Sequence, residues 1–286
     1  MARAPGPCSQ SSLCEEGRFV GGIASQLKKM PSSPHMNPYE TDKLVAEYLL
    51  FHYGAPQEVL PWDFGPSSAL DYALRCVTEC VDIPALPQDA RALDIGCAVG
   101  RSSFELARHC SDVIGIDYSH RFIEVATTLA RDGNLPYERT DEGVLKTSLT
   151  AFVPSGIARS RATFEHGDAQ ELRGSLGRFD VVLAANLIDR LVAPGRFLSQ
   201  LPGLVKPGGQ LVLTSPYTWL EEFTPSKNWL GGFQDDGPPR KTLDGLLSAL
   251  SADFDLVRTR DLPFLIREHA RKFQWSVAQA SIWRRK

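Results

Sequence analysis

Leu93-Asp94-Ile95-Gly96-Cys97-Ala98-Val99-Gly100 is the stretch from which the architecture can be read. Residues 91–95 form a short apolar run, as expected of a strand buried on both faces, interrupted by the carboxylate of Asp94. A carboxylate on a buried strand needs a partner, and a backbone amide of the glycine turn or an ammonium on a ligand would serve. Gly96 and Gly100 flank a turn whose backbone can approach a ligand closely, because neither carries a Cβ. Helical sequence follows at 101–109. Further out, apolar runs at 112–116, 162–165, 179–184 and 210–214 are interleaved with helical sequence at 119–131 and 187–204. Short apolar strands alternating with helices predict an α/β domain, a doubly wound parallel sheet covered on both faces.

The rest of the chain is arranged around that sheet. Asn37-Pro38-Tyr39-Glu40 reads as a helix start, with Asn37 as N-cap and Glu40 at the capping-box position, and the helix should stop at Gly54. Leu70, Leu74, Val77 and Val81 predict a second helix ending before Pro84. Residues 1–36 read as a disordered leader, 37–90 as a helical cover and 91–286 as the core of a single domain, 37–286. The polar stretch 132–160 is too long for an ordinary connection and reads as an insertion. After a loop at 216–240, a helix is expected at 243–250 and strands at 254–261 and 273–284. Residues 262–269 form a connection too long for a tight hairpin.

Composition narrows the function classes. Of 286 residues 43% are apolar and 23% charged, and 31 basic side chains against 34 acidic ones leave a net charge of -3. That balance gives no general attraction to nucleic acid or to an anionic membrane. No apolar run approaches the ~20 residues that span a bilayer, and no secretory signal is present. Six cysteines without zinc-site spacing read as reduced thiols, which points to a cytoplasmic protein with no bound metal.

In a doubly wound sheet, ligands bind outside the carboxyl ends of the strands. Asp117 ends the second strand and could accept from two ribose hydroxyls, and Asp168, after the third, could accept from an exocyclic amine. A glycine turn is often only structural and a strand-end Asp is often a helix cap. Together and in this order the features favour a nucleoside ligand, and the glycines four apart do not make the G-x-G-x-x-G of a dinucleotide site. At these residues the sequence resembles the class I S-adenosylmethionine-dependent methyltransferases. The resemblance implies a Rossmann-like seven-stranded sheet and S-adenosyl-L-methionine as cofactor. It puts Asp94, Gly96, Cys97 and Gly100 in the first cofactor motif, Asp117 on the ribose, Tyr118 on the adenine, and Asp168 with Ala169 at the adenine amine. Residues 205–211 look like the family's turn before its fifth strand.

Four longer segments, at 37–54, 184–191, 214–222 and 263–272, resemble the C-terminal methyltransferase domain of ovothiol synthase. That resemblance implies N-methylation of the imidazole of 5-thiohistidine (4-mercaptohistidine), a small amino-acid substrate. The bifunctional enzymes carry an iron-dependent sulfoxide synthase region ahead of this domain, and residues 1–36 are too short to hold one, so a separate synthase is the expected partner. From substrate chemistry, Arg267, or else Arg190, is expected to pair with the substrate carboxylate, and Asp189 or Glu222 with its ammonium. Asn186, Tyr217 or His269 is expected to bond the imidazole and select the reacting nitrogen. Tyr39 belongs to the N-terminal helix expected to close over the substrate. A base-methylating enzyme is disfavoured, because Ala185-Asn186-Leu187-Ile188 lacks a Pro-Pro-aromatic pattern and no basic stripe is visible.

Overall fold

In the computed structural model, which describes residues 38–234 and 237–286, the chain opens with α1 (Asp42–Tyr53), α2 (Pro56–Val59) and α3 (Tyr72–Thr78). Then come β1 (Arg91–Ile95), α4 (Arg101–Leu106), β2 (Asp112–Asp117), α5 (His120–Asp132), β3 (Asn134–Glu142) and β4 (Leu145–Phe152). They are followed by β5 (Ala162–His166), β6 (Phe179–Ala185), α6 (Pro194–Leu204), β7 (Val205–Ser215), α7 (Thr242–Leu250), β8 (Phe254–His269) and β9 (Lys272–Arg285). The main sheet has seven strands in the order β5-β2-β1-β6-β7-β9-β8. The first five in that order run parallel, and β9 lies antiparallel between β7 and β8. This is the expected Rossmann-like sheet, and it reverses direction of travel between β1 and β6, which leaves a crevice above the two.

The pleat divides the core. Ala92, Val181 and Leu183 face one layer with Cys76 and Val77 of α3, Phe104 of α4 and Phe122 of α5. Leu93, Ile95 and Val182 face the other, with Phe197 and Leu201 of α6, Leu246 of α7 and Trp283 of β9. Asp94 therefore points at α4. Among the described residues Cys76, Cys80, Cys97 and Cys110 are buried free thiols, and no helix is long and apolar enough to cross a membrane.

The structure differs from the sequence reading in four places. Asn37 lies outside the described residues, as does the leader, and the cap of α1 is Thr41, whose side chain accepts from the Leu44 amide (3.3 Å). Glu40 makes no capping box there; its carboxylate accepts from the His120 and Arg121 amides (2.9 and 3.2 Å) and caps α5 instead. The second helix is confined to α3, because Asp71 takes a left-handed conformation (φ +56°) just before it. The insertion is not irregular: β3 and β4 pair as an antiparallel hairpin that sets Leu135, Tyr137 and Leu149 against the apolar layers and leaves its other face polar. Finally, residues 262–269 are not a connection. β8 runs through them, Pro263 being tolerated because β8 is an edge strand, and the hairpin turns tightly at Ala270 and Arg271. Because Asp261 and Ser215 both lie opposite Gln279, residues 262–278 stand beyond the end of β7 as an arm above the carboxyl edge of the sheet.

Candidate active site

The glycine turn after β1 is held by its neighbours. The Gly96 and Cys97 amides both donate to the Ile116 carbonyl (2.8 and 3.1 Å), and Gly96, Ala98 and Gly100 take positive φ of 77°, 47° and 84°. A Cβ on Gly100 would lie 2.7 Å from the Phe164 ring, so that position is closed to other residues. From above, the Tyr53 hydroxyl donates to the Val99 carbonyl (2.8 Å) and ties the end of α1 to the turn. Oδ2 of Asp94 accepts from the hydroxyls of Ser102 and Ser103 (2.7 and 2.6 Å), while Oδ1 is buried without a partner. Burial pushes this carboxyl up to about 6, against the pull of the two serines.

Asp117 ends β2 and accepts from the Ala98 and Ser119 amides (both 2.9 Å); burial raises its pKa and those amides oppose the rise. Beside it the Tyr118 ring is 62% exposed, available as a flat apolar platform. Its carbonyl meets His166 Nε2 (3.0 Å), and the His166 ring stacks on that of His120 (3.7 Å). Asp168 accepts from the Gln170 amide (2.8 Å), with Ala169 buried next to it. The unpartnered oxygen of Asp94, the glycine turn, Asp117 and the Tyr118 face fit a nucleoside that carries an ammonium, which is the composition of S-adenosylmethionine. Asp94 would take the ammonium, Asp117 the ribose, Tyr118 the adenine and Asp168 its amine.

Across the crevice, β6 and β7 end in strained residues: Asn186 (φ +52°) and Tyr217 (φ +56°) hold a conformation that side chains rarely adopt. The Asn186 amide donates to the Thr214 carbonyl (2.9 Å), and its Oδ1 accepts from the Tyr72 hydroxyl (2.8 Å) and from Thr214 Oγ1 (3.2 Å). The Tyr217 hydroxyl donates to Gln279 (3.0 Å), and burial raises its pKa to about 12. Asp189 is wholly buried: Oδ2 accepts from the Thr218 amide (2.9 Å) and from Arg190 (3.3 Å), and Oδ1 has no partner. The Arg190 guanidinium also donates to the Thr218 carbonyl (3.1 Å) and lies over the Phe223 ring.

Tyr39 links the two halves. Its carbonyl accepts from Ser119 (2.9 Å), its phenol bonds Arg190, and both Asp117 and Asp189 act on its charge; burial raises its pKa and Arg190 opposes the rise. Asn186, Asp189, Arg190, Tyr217 and Tyr39 therefore gather near the cofactor residues. Arg267 and His269 are engaged elsewhere. The Arg267 guanidinium donates to the Glu58 carbonyl (2.6 Å) and to the His269 carbonyl (3.3 Å), close to Arg139, and His269 Nδ1 accepts from the Arg271 amide (3.2 Å) at the tip of the arm. They move away because β8 continues to His269 instead of ending at 261. Glu222 is exposed on a turn. The sequence reading missed Ser102 and Ser103, Tyr72 and Thr214, and the capping role of Glu40. A paired hydroxyl eight and nine residues after a buried carboxylate is a local signal; the other contacts are long-range.

Fold and site together fit a Rossmann-like methyltransferase domain whose residues suit S-adenosylmethionine as cofactor. A family model described as "Methyltransferase domain" matches residues 93–213. The ubiquinone biosynthesis O-methyltransferase of Azorhizobium caulinodans is 29% identical over 133 residues, 46% of this chain and 43% of the relative. That of Cereibacter sphaeroides is 29% identical over 128 residues, 45% of this chain and 42% of the relative. The chain thus spans less than half the length of these curated relatives. Among solved structures, a methyltransferase from Methanosarcina mazei is similar at 22% identity and a TM-score of 0.47, covering 70% of this chain and 94% of that one.

Proposed function

We propose that the acceptor is a free amino acid and that the reaction is N-methylation of the imidazole of 5-thiohistidine, as in ovothiol formation. The observation that carries this reading is the Asp189–Arg190 pair: a wholly buried carboxylate with one oxygen unpartnered, next to a half-buried guanidinium, at the carboxyl ends of the strands. An unpartnered buried carboxylate oxygen is costly in an empty site and is relieved by a substrate ammonium. Arg190, rather than Arg267, then takes the substrate carboxylate. A quinol ring, the kind of acceptor suggested by the names of the relatives, carries no ammonium for Asp189 to meet.

S-adenosylmethionine supplies an electrophilic methyl group when bound. The ring nitrogen gives its lone pair to that methyl carbon as the carbon–sulfur bond breaks, and the nitrogen-bound proton leaves afterwards. No strong base is required, so positioning and exclusion of water carry the catalysis. Asn186 and Tyr217 orient the ring, and Tyr39 closes the crevice from the helical cover. The thiohistidine would come from a separate iron-dependent sulfoxide synthase, and the four buried free thiols among the described residues suit a cytoplasmic setting. Asp189→Asn is expected to raise KM for thiohistidine by about tenfold or more, the scale of a lost charge-assisted hydrogen bond, with KM for S-adenosylmethionine nearly unchanged. Equal rises in both, or efficient methylation of a phenol lacking an amino-acid group, would remove the amino-acid reading.

A further inference from the structure

The Asn186 side chain is not free to choose which end it shows the crevice. Its Oδ1 accepts from the Tyr72 hydroxyl (2.8 Å) and Thr214 Oγ1 (3.2 Å), and these two hydroxyls lie 2.6 Å apart. Thr214 Oγ1 already accepts from the Asn186 backbone amide (3.1 Å). Tyr72 is 3% exposed and Thr214 is wholly buried, so each hydroxyl proton needs an acceptor within the protein: one hydroxyl donates to the other, and Asn186 Oδ1 is placed to take the remaining proton. Rotating the amide by half a turn would set its NH2 group against both hydroxyls and remove the oxygen that takes the proton left over from their mutual bond.

We infer that Tyr72, on the helical cover, is a positioning residue: with Thr214 it locks Asn186 so that only the Nδ2 donor faces the methyl acceptor. The site therefore favours an acceptor whose neighbouring atom carries a lone pair and no hydrogen. Taken with the proposed thiohistidine substrate, on which this step rests, that atom is the thiolate sulfur beside the ring. A hydrogen bond to the thiolate lowers its nucleophilicity and leaves the ring nitrogen to take the methyl group. The lock then serves to direct methylation to nitrogen and away from sulfur.

Tyr72→Phe removes the hydroxyl and keeps the ring that packs on Phe51 and Phe264. In the full-length chain, the expected result with thiohistidine is a kcat lower by about 10- to 100-fold, the scale of a displaced positioning group, together with S-methylated product beside the N-methylated one. KM for S-adenosylmethionine stays within about twofold. Because losses through one shared element do not add, Tyr72→Phe combined with Asn186→Ala should be no worse than Asn186→Ala alone. Additive losses with unchanged product would make Tyr72 merely structural and overturn the inference. An independent readout is the Asn186 side-chain amide in a nitrogen–proton NMR spectrum, identified by its loss in Asn186→Asp. Tyr72→Phe should shift this pair and speed its exchange with solvent, whereas an unmoved pair contradicts the lock. If the wild-type chain leaves thiohistidine unmethylated, the substrate reading fails, and the amide spectrum still decides the role of Tyr72.

Discussion

Two buried carboxylates, Asp94 and Asp189, each leave one oxygen without a partner, and they stand on opposite sides of the same crevice. For Asp94 this has a measurable pH consequence. Its pKa is raised to about 6 by burial, so the folded free protein holds this proton where the unfolded chain releases it. This group therefore stabilises the free protein as pH falls from above about 6 towards the ordinary carboxylate range. A bound ammonium favours the carboxylate and reverses the preference, so affinity for S-adenosylmethionine should weaken as pH falls below about 6. Titration calorimetry across this range should show the loss in the wild type, and Asp94→Asn should bind weakly at every pH with little pH dependence. A wild-type affinity unchanged down to about pH 5 would contradict the assignment. Asp94, Gly96, Gly100, Asp117 and Asp168 were legible in the sequence because each is marked by its place relative to an adjacent strand. Tyr72 was not, since its partners Asn186 and Thr214 lie 114 and 142 residues away and nothing local marks a tyrosine that bonds them.

At the scale of elements, the legible parts were those whose burial is symmetric. The central strands read as apolar runs because both faces are covered, and the helical sequence at 119–131 falls on α5, which the structure caps with Ser119 and ends at Gly133. The β3–β4 hairpin and the outer half of β8 were hidden because one face is polar and solvent-facing, and Pro263 read as a break where an edge strand tolerates it. That error moved Arg267 and His269 into the expected site. The start of the helical cover was also misread: Glu40 holds the positive end of α5, and with it the turn that carries Tyr39. Glu40→Gln weakens two such bonds, and the expected loss of stability is about 0.5–2 kcal/mol. Denaturant unfolding should record that loss. Cofactor affinity should fall a few-fold with it, because Tyr39 spans the crevice; a stability loss with unaltered affinity would separate Tyr39 from the closed site.

At the scale of the whole molecule, the seven-stranded sheet places Asp94 and Asp117 on β1 and β2 and Asn186 and Tyr217 just past the ends of β6 and β7, with the arm of β8 and β9 and the helical cover above them. The near-neutral charge supplies no general attraction to a polyanion and is compatible with a zwitterion, and the Asp189–Arg190 pair argues for one. The central claim is that this crevice brings a methyl sulfonium to a thiohistidine ring nitrogen. Purified chain incubated with S-adenosylmethionine and 5-thiohistidine, with the product resolved by mass spectrometry and NMR, tests it most directly. The expected result is a gain of one methyl located on a ring nitrogen. Cofactor binding without methyl transfer, or a methyl found on sulfur alone, would contradict it.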